Sequence, residues 1–272
     1  MLRVPAGSEE EVAARLWPLA PLGLEWRSGP AGDEAVAFFT ADDPVTGLAA
    51  LPFEVLSDRL LPVADWLAAW RAAARPIRVG RSLLVDPREP EPEDEGAVAE
   101  AGRATLRLPA RTAFGVGSHE STRLAWELAE ELGLAAGARA LDVGCGTGIL
   151  AFGAELAGAL WAGGFDVDPA AALLAGQYAR LNGLPGRFFA GGAAALAAPS
   201  RFDLLFVNVI PTEIGPDLAA LCALLAPEGT AVFSGILEAE AGEAAARLAA
   251  AGFEERARRV EGEWAALACA GR

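Results

Sequence analysis

The second half of the chain contains the motif Leu141-Asp142-Val143-Gly144-Cys145-Gly146-Thr147-Gly148-Ile149. It follows a predicted buried strand, 138–143, and precedes a predicted helix, 149–158. Glycines at such a junction allow a tight turn and a close approach of a ligand to the backbone. In a parallel sheet this turn lies at the carboxyl edge, where such sheets bind ligands. The motif therefore predicts a ligand site built on Gly144 and Gly146.

The spacing of the glycines leaves two classes of ligand open. Counted from Gly146, the motif fits the permissive G-x-G-x-x-A form of a dinucleotide fingerprint, with Ala151 in the last position. Asp142 precedes the first glycine by two residues, and its charge would repel a pyrophosphate but attract an ammonium or sulfonium group. We therefore favour a cationic ligand over a nicotinamide dinucleotide.

A second acid, Asp166, ends the next predicted strand, 160–166. An acid about twenty residues after the glycine turn can accept both hydrogen bonds of a ribose diol. Asp168 stands directly before Pro169 and is predicted to cap the helix that follows. The first acid, the glycine turn and Asp166 together resemble the class I methyltransferases, which use S-adenosylmethionine.

The segment 202–207 is apolar except for Asp203, and this near-continuous run predicts a central strand buried on both faces. In class I methyltransferases the last polar residue of this strand points into the space where the methyl group departs. Asn208 is that residue, and its amide oxygen would accept a hydrogen bond from a substrate amine and orient the nitrogen lone pair. The alternative is that Asn208 only forms a turn.

Strands and helices alternate in the second half of the chain, which predicts an α/β fold with a doubly wound, Rossmann-like sheet of seven strands whose last two form an antiparallel end. Before it, an acidic and proline-rich segment, 86–102, predicts a solvated connector. The N-terminal pattern predicts a small α+β unit. The expected organisation is an N-terminal domain at 1–62, a linker helix and acidic connector at 63–104, and a larger domain at 105–272.

Composition narrows the possible partners. The chain has 37 acids, 22 basic residues and a net charge of −15, which disfavours nucleic acid and would attract a basic protein. The alternative is that the acidity only keeps an alanine-rich chain in solution. Three separated cysteines and a single histidine, His119, predict neither a disulfide framework nor a metal site. Without an apolar run of about 18 residues or a secretory signal, the chain is expected to be cytoplasmic and to have no contact with a membrane. A monomer is expected.

Five stretches carry a closer resemblance. They are Asp65-Trp66-Leu67-Ala68-Ala69-Trp70-Arg71 with Arg75-Pro76-Ile77-Arg78-Val79-Gly80, then Ala113-Phe114-Gly115-Val116-Gly117-Ser118-His119-Glu120-Ser121-Thr122, the glycine motif, Asn208-Val209-Ile210, and Ser234-Gly235-Ile236-Leu237 with Glu261-Gly262-Glu263-Trp264. In them the chain resembles the PrmA-type methyltransferases of large-subunit ribosomal protein eleven. The resemblance implies a ferredoxin-like N-terminal domain that recognises the ribosomal protein, a mobile linker, and methylation of lysine side chains and of the N-terminal amine.

The same resemblance implies roles for single residues. Thr122 and Gly144 would contact the methionine end of S-adenosylmethionine, and Asn208 would lie near its sulfonium. Phe114 and His119 would line the same pocket, although His119 taken by itself is more typical of a structural histidine. Two other functions stay open, methylation of an amine on a small molecule and binding of S-adenosylmethionine without catalysis.

Overall fold

A computed structural model of the chain describes residues 2–5, 8–16, 23–29, 32–39, 51–57, 74–88, 99–109, 119–196, 201–209 and 217–271. Contacts between Cα atoms divide the chain into two compact units, 1–69 and 70–272. The linker helix predicted after residue 62 lies outside the described residues. None of the described helices is long and apolar enough to span a lipid bilayer.

The first unit contains a four-stranded antiparallel sheet and a helix. Its elements are β1 (Leu2–Val4), α1 (Glu9–Leu16), β2 (Gly23–Gly29), β3 (Gly32–Phe38) and β4 (Glu54–Val55), and the strand order is β2-β3-β1-β4. Leu2 and Val4 point to one face of β1 and pack with Val12 and Leu16 of α1, because alternate residues of a strand share a face. The ferredoxin-like topology stays a prediction, since residues 40–50 lie outside the described residues.

A three-stranded sheet opens the described part of the second unit. It consists of β5 (Ile77–Val79), β6 (Leu83–Asp86) and β7 (Ala104–Arg107), with β7 parallel to β6. Val79, Leu83 and Leu106 are buried in the same core as the larger sheet. The sequence pattern placed 63–104 in a linker, and the structure differs there because these strands pair across the proline-rich segment. Asp86, predicted to begin the connector, is a buried residue of β6.

The larger sheet has seven strands among the described residues, in the order β10-β9-β8-β11-β12-β14-β13. They are β8 (Arg139–Val143), β9 (Trp161–Asp166), β10 (Phe188–Ala190), β11 (Phe202–Asn208), β12 (Leu225–Leu237), β13 (Phe253–Glu261) and β14 (Trp264–Gly271). The first five in the sheet are parallel, and β14 is antiparallel to both of its neighbours. This confirms the predicted α/β fold with a doubly wound, Rossmann-like sheet and an antiparallel end.

Helices accompany the strands of the larger sheet. They are α2 (Glu120–Glu131), α3 (Ile149–Leu156), α4 (Pro169–Leu181), α5 (Leu218–Leu224) and α6 (Ala241–Ala250). In β11, Leu204 and Phe206 belong to one apolar core and Leu205 and Val207 to another, so this strand is buried on both faces as its composition predicted. The strand order reverses between β8 and β11, which makes a crevice at their carboxyl ends.

Glu130 of α2 fastens the turn between β5 and β6. Its Oε2 accepts a hydrogen bond from the backbone N–H of Arg81 at 2.7 Å, and its Oε1 accepts one from the backbone N–H of Ser82 at 2.8 Å. Burial acts to raise the pKa of this carboxyl, but hydrogen bonds from Ser82 and Arg81 outweigh burial and leave the pKa below its usual value.

We expect Glu130→Gln to lower the free energy of unfolding by about 1–3 kcal/mol at neutral pH, because the glutamine NH2 would face one of the two backbone N–H donors and the charge that both donors bond would be lost. The folded-state pKa is depressed, so the contribution of Glu130 is complete above the unfolded pKa of about 4.3 and is lost as the pH falls through the folded value. The difference between the two proteins should therefore shrink in acid. Urea unfolding at pH 7 and in the acid range measures it.

Glu131→Gln is the matched control, because Glu131 is 61% exposed and pairs with Arg259 at the surface, whereas Glu130 is 14% exposed. We expect this change to cost less than about 0.5 kcal/mol at neutral pH. Equal costs for the two substitutions would show that Glu130 does not fasten the turn.

Candidate active site

The glycine motif forms the turn between β8 and α3, at the crevice where the strand order reverses. Gly144, Gly146 and Gly148 have φ angles of 66°, 51° and 83°, in the left-handed region that other residues rarely adopt. A Cβ on Gly144 would lie 2.5 Å from Cγ1 of Val209, at the end of β11. The glycines therefore bend the chain as the sequence predicted and keep the space between β8 and β11 open.

Asp142 lies beneath this turn and faces α3. It is 2% exposed, and its Oδ2 accepts a hydrogen bond at 3.3 Å from the N–H of Ala151, in the first turn of a helix whose cap, Gly148, has no side chain. Burial raises the pKa of the Asp142 carboxyl well above its usual value, a shift that the Ala151 hydrogen bond opposes and the charge of Asp166 increases. Burial thus works against the negative charge of Asp142, on which the preference for a cationic ligand was based. Its hydrogen bond to α3 supports the turn, and its contact with a ligand stays a prediction.

Asp166 ends β9 and is held by two backbone groups. Its Oδ2 accepts from the N–H of Gly146 and its Oδ1 from the N–H of Asp168, both at 2.9 Å. Each carboxylate oxygen keeps a further acceptor position, so the group can still accept both hydroxyls of a ribose. Asp168 caps α4 by accepting from the N–H of Ala170 at 2.8 Å, as the sequence predicted.

A small cavity of about 110 Å³ opens beside Asp166, at the carboxyl ends of β8, β9 and β11 and against α5. Its lining is mostly apolar and consists of Val143, Gly144, Phe165, Val167, Gly192, Ala193, Val209, Asp217 and Leu221. Val167 is 81% exposed although it is apolar. This cavity was not predicted from the sequence, where its signal is an apolar residue directly after the predicted ribose acid.

Asn208 ends β11, and both ends of its amide are held. Its Nδ2 donates to Oγ1 of Thr122 at 3.1 Å, and its Oδ1 accepts from Oγ of Ser234 at 2.9 Å. Thr122 is 0% and Ser234 1% exposed. The structure therefore brings Thr122 to Asn208 in an enclosed contact, and within the described part of the chain one N–H of Nδ2 and one lone pair of Oδ1 have no further partner. Ser234 was not singled out from the sequence as a site residue.

His119 caps α2, the helix that carries Thr122. Its Nδ1 accepts a hydrogen bond from the backbone N–H of Ser121 at 3.2 Å and lies 2.8 Å from Oγ of the same residue. The ring also packs edge to face on Trp264, with 4.7 Å between ring centroids. These contacts support the structural interpretation of His119. Phe114 lies outside the described residues. In the part of the chain that the structure describes, no three side chains of the types that bind metals come together.

The strand order, the glycine turn at the reversal point and the acid after the neighbouring strand define a class I methyltransferase, an enzyme whose methyl donor is S-adenosylmethionine. A family model described as "Ribosomal protein L11 methyltransferase (PrmA)" matches residues 42–271. The chain belongs to this family, which confirms the resemblance found in its sequence.

Individual relatives agree with the family model. A ribosomal protein L11 methyltransferase of Pelotomaculum thermopropionicum is 34% identical over 80% of this chain and 69% of its own length. One of Geobacter sulfurreducens is 34% identical over 87% of this chain and 73% of its own length. The crystal structure of a ribosomal protein L11 methylase from Lactobacillus delbrueckii subsp. bulgaricus superposes with a TM-score of 0.63 at 28% identity, covering 72% of this chain and 98% of that one.

Proposed function

We propose that this chain methylates amino groups of ribosomal protein L11, at lysine side chains and at the N-terminal amine. The names of its relatives supply the substrate. The observation that carries the chemistry is the amide of Asn208 at the carboxyl end of β11. Among the described residues it bonds only the hydroxyls of Thr122 and Ser234, with one acceptor lone pair uncommitted and no acidic or basic partner. An amide of this kind can hold an uncharged amine without protonating it.

The residues at the crevice fit S-adenosylmethionine, which supplies a methyl group activated by a positively charged sulfur. Asp166 has acceptor positions for the ribose hydroxyls, and the apolar cavity beside it suits the adenine ring. Gly144 leaves space next to Val209 because it has no side chain. In this proposal the backbone N–H of Gly146 holds the carboxylate of Asp166 in place. Asp142 supports the glycine turn through its hydrogen bond with α3.

In this proposal no side chain acts as a base toward the substrate amine. The site holds the amine and removes it from water. Oδ1 of Asn208 accepts one N–H of the amine and directs its lone pair toward the methyl group. A lysine side chain has a pKa of about 10.4 in water, and removal from water lowers it, so the proton leaves to solvent as the amine enters the site. His119 has no part in this step.

The N-terminal unit is assigned to recognition of the substrate. We propose that this domain comprises residues 1–62. The boundary between the two compact units lies after Ala69, seven residues further along the chain. The net charge of −15 supports a basic protein as substrate, because opposite charges accelerate encounter. The monomeric state and the cytoplasmic location stay predictions.

Incubation of the purified chain with labelled S-adenosylmethionine and a mixture of large-subunit ribosomal proteins tests the substrate. We expect label on L11, at amines located by mass spectrometry, and none in a mixture from which L11 has been removed. Label on small molecules alone would favour a metabolite methyltransferase. Binding of S-adenosylmethionine without any labelled product would favour a protein that binds and does not catalyse.

A further inference from the structure

An irregularity in β12 directs one hydroxyl toward Asn208. Phe233 pairs with Leu267 of β14 and Ile236 with Ala265, so β12 has one extra residue between these pairs. Ser234 lies in this bulge and is the register partner of Asn208 on the neighbouring strand β11. Bulges of this kind bend a strand and re-aim a side chain, and they are common beside active sites.

The residue after Ser234 completes the arrangement. Gly235 has a φ of 77°, which glycine adopts without strain. A Cβ at this position would lie 3.3 Å from Oδ1 of Asn208 and 3.4 Å from the backbone oxygen of Val209, closer than most real Cβ contacts. The bulge and the glycine thus bring the backbone of β12 close to the amide.

We propose that Ser234 is a positioning residue for methyl transfer, which orients the amide of Asn208 by donating its hydroxyl to Oδ1. Thr122 holds the other end of the same amide, at Nδ2. Together the two contacts fix the orientation of the amide plane. The second lone pair of Oδ1 then points in one direction, toward the N–H of the substrate amine that receives the methyl group. With Thr122 alone the amide is free to turn about its Cβ–Cγ bond. This inference rests on the proposed function of Asn208.

Ser234→Ala tests the inference, with Thr230→Ala as the matched control. Thr230 lies in the same strand but pairs with Leu204, four register positions from Asn208. We expect Ser234→Ala to lower kcat on L11 by about ten- to a hundredfold, as misplaced groups do, and to leave the Kd of S-adenosylmethionine within about twofold. Thr230→Ala should change neither quantity by more than about twofold.

A double-mutant cycle separates positioning from general destabilisation. In an Asn208→Ala background, Ser234→Ala should have no further effect on kcat, because the group that it orients is gone. Ser234→Cys offers a second variant if the alanine protein does not fold; its thiol is a weak donor, so kcat should fall as well. An equal loss in both backgrounds, an unchanged kcat, or a parallel loss of cofactor affinity would overturn the inference.

The side-chain amide signal of Asn208 in a ¹⁵N NMR spectrum, assigned by its absence from Asn208→Ala, gives a readout without substrate. We expect its hydrogen exchange to accelerate in Ser234→Ala and not in Thr230→Ala. If exchange accelerates but the natural chain methylates no ribosomal protein, the positioning role stands and the proposed substrate is wrong. If L11 is methylated but neither the exchange nor the cycle responds, the substrate stands and the role of Ser234 is wrong.

Discussion

Asn208→Ala is expected to lower the rate of methyl transfer by about a hundredfold or more, because an acceptor that orients the amine is lost. The affinity for S-adenosylmethionine should change by less than about threefold, since Asp166 and the apolar cavity do not depend on the amide. Turnover of labelled methyl groups gives the rate, and calorimetric titration of the donor gives the affinity. Turnover equal to that of the natural chain would refute the assignment of Asn208.

Asn182→Ala is a suitable control for this experiment. Asn182 is also half-buried, but its amide bonds the backbone of Arg107, accepting from the N–H at 2.7 Å and donating to the oxygen at 2.9 Å. Its loss should lower the free energy of unfolding by about 1–3 kcal/mol, because three backbone groups lose this partner: the N–H and oxygen of Arg107 and the oxygen of Tyr178, to which the amide also donates. The rate per folded molecule should be unchanged.

Asp166→Ala is expected to weaken the binding of S-adenosylmethionine by on the order of a hundredfold. Hydrogen bonds to a charged group contribute about 1.5–3 kcal/mol each, and a factor of ten in affinity corresponds to about 1.4 kcal/mol. The loss also leaves the N–H of Gly146 without its acceptor, which loosens the turn. Calorimetric titration with S-adenosylmethionine measures the change.

Asp168→Ala separates this role from that of a nearby acid. The substitution keeps the backbone N–H of residue 168, which donates a hydrogen bond to Asp166. It removes only the carboxylate that caps α4. It should cost about 1 kcal/mol of stability, as the loss of a helix cap does, and leave the affinity within about threefold. A similar loss of affinity in both variants would argue against a ribose contact at Asp166.

The sequence predicted the larger sheet well and the small sheet poorly, for one physical reason. In β11 the run 202–207 is apolar except for Asp203 and supplies side chains to both cores, so its composition alone indicates a central strand. β6 and β7 pair in parallel although the acidic segment separates them in sequence. A pairing between distant segments leaves no local pattern, and the segment 77–86 was therefore assigned to a linker.

The features of the site also fall into two groups, those that the sequence predicted and those that only the tertiary structure determines. The bend at Gly144, the cap at Asp168 and the presence of an asparagine at the end of β11 follow from residue type and position, because backbone freedom and strand ends are local properties. The direction of Asp142 toward α3, the apolar cavity beside Asp166 and the contact of Ser234 with Asn208 follow from strand register and from a bulge in β12. Those contacts join residues that are far apart in the chain, so they exist only after the sheet has assembled.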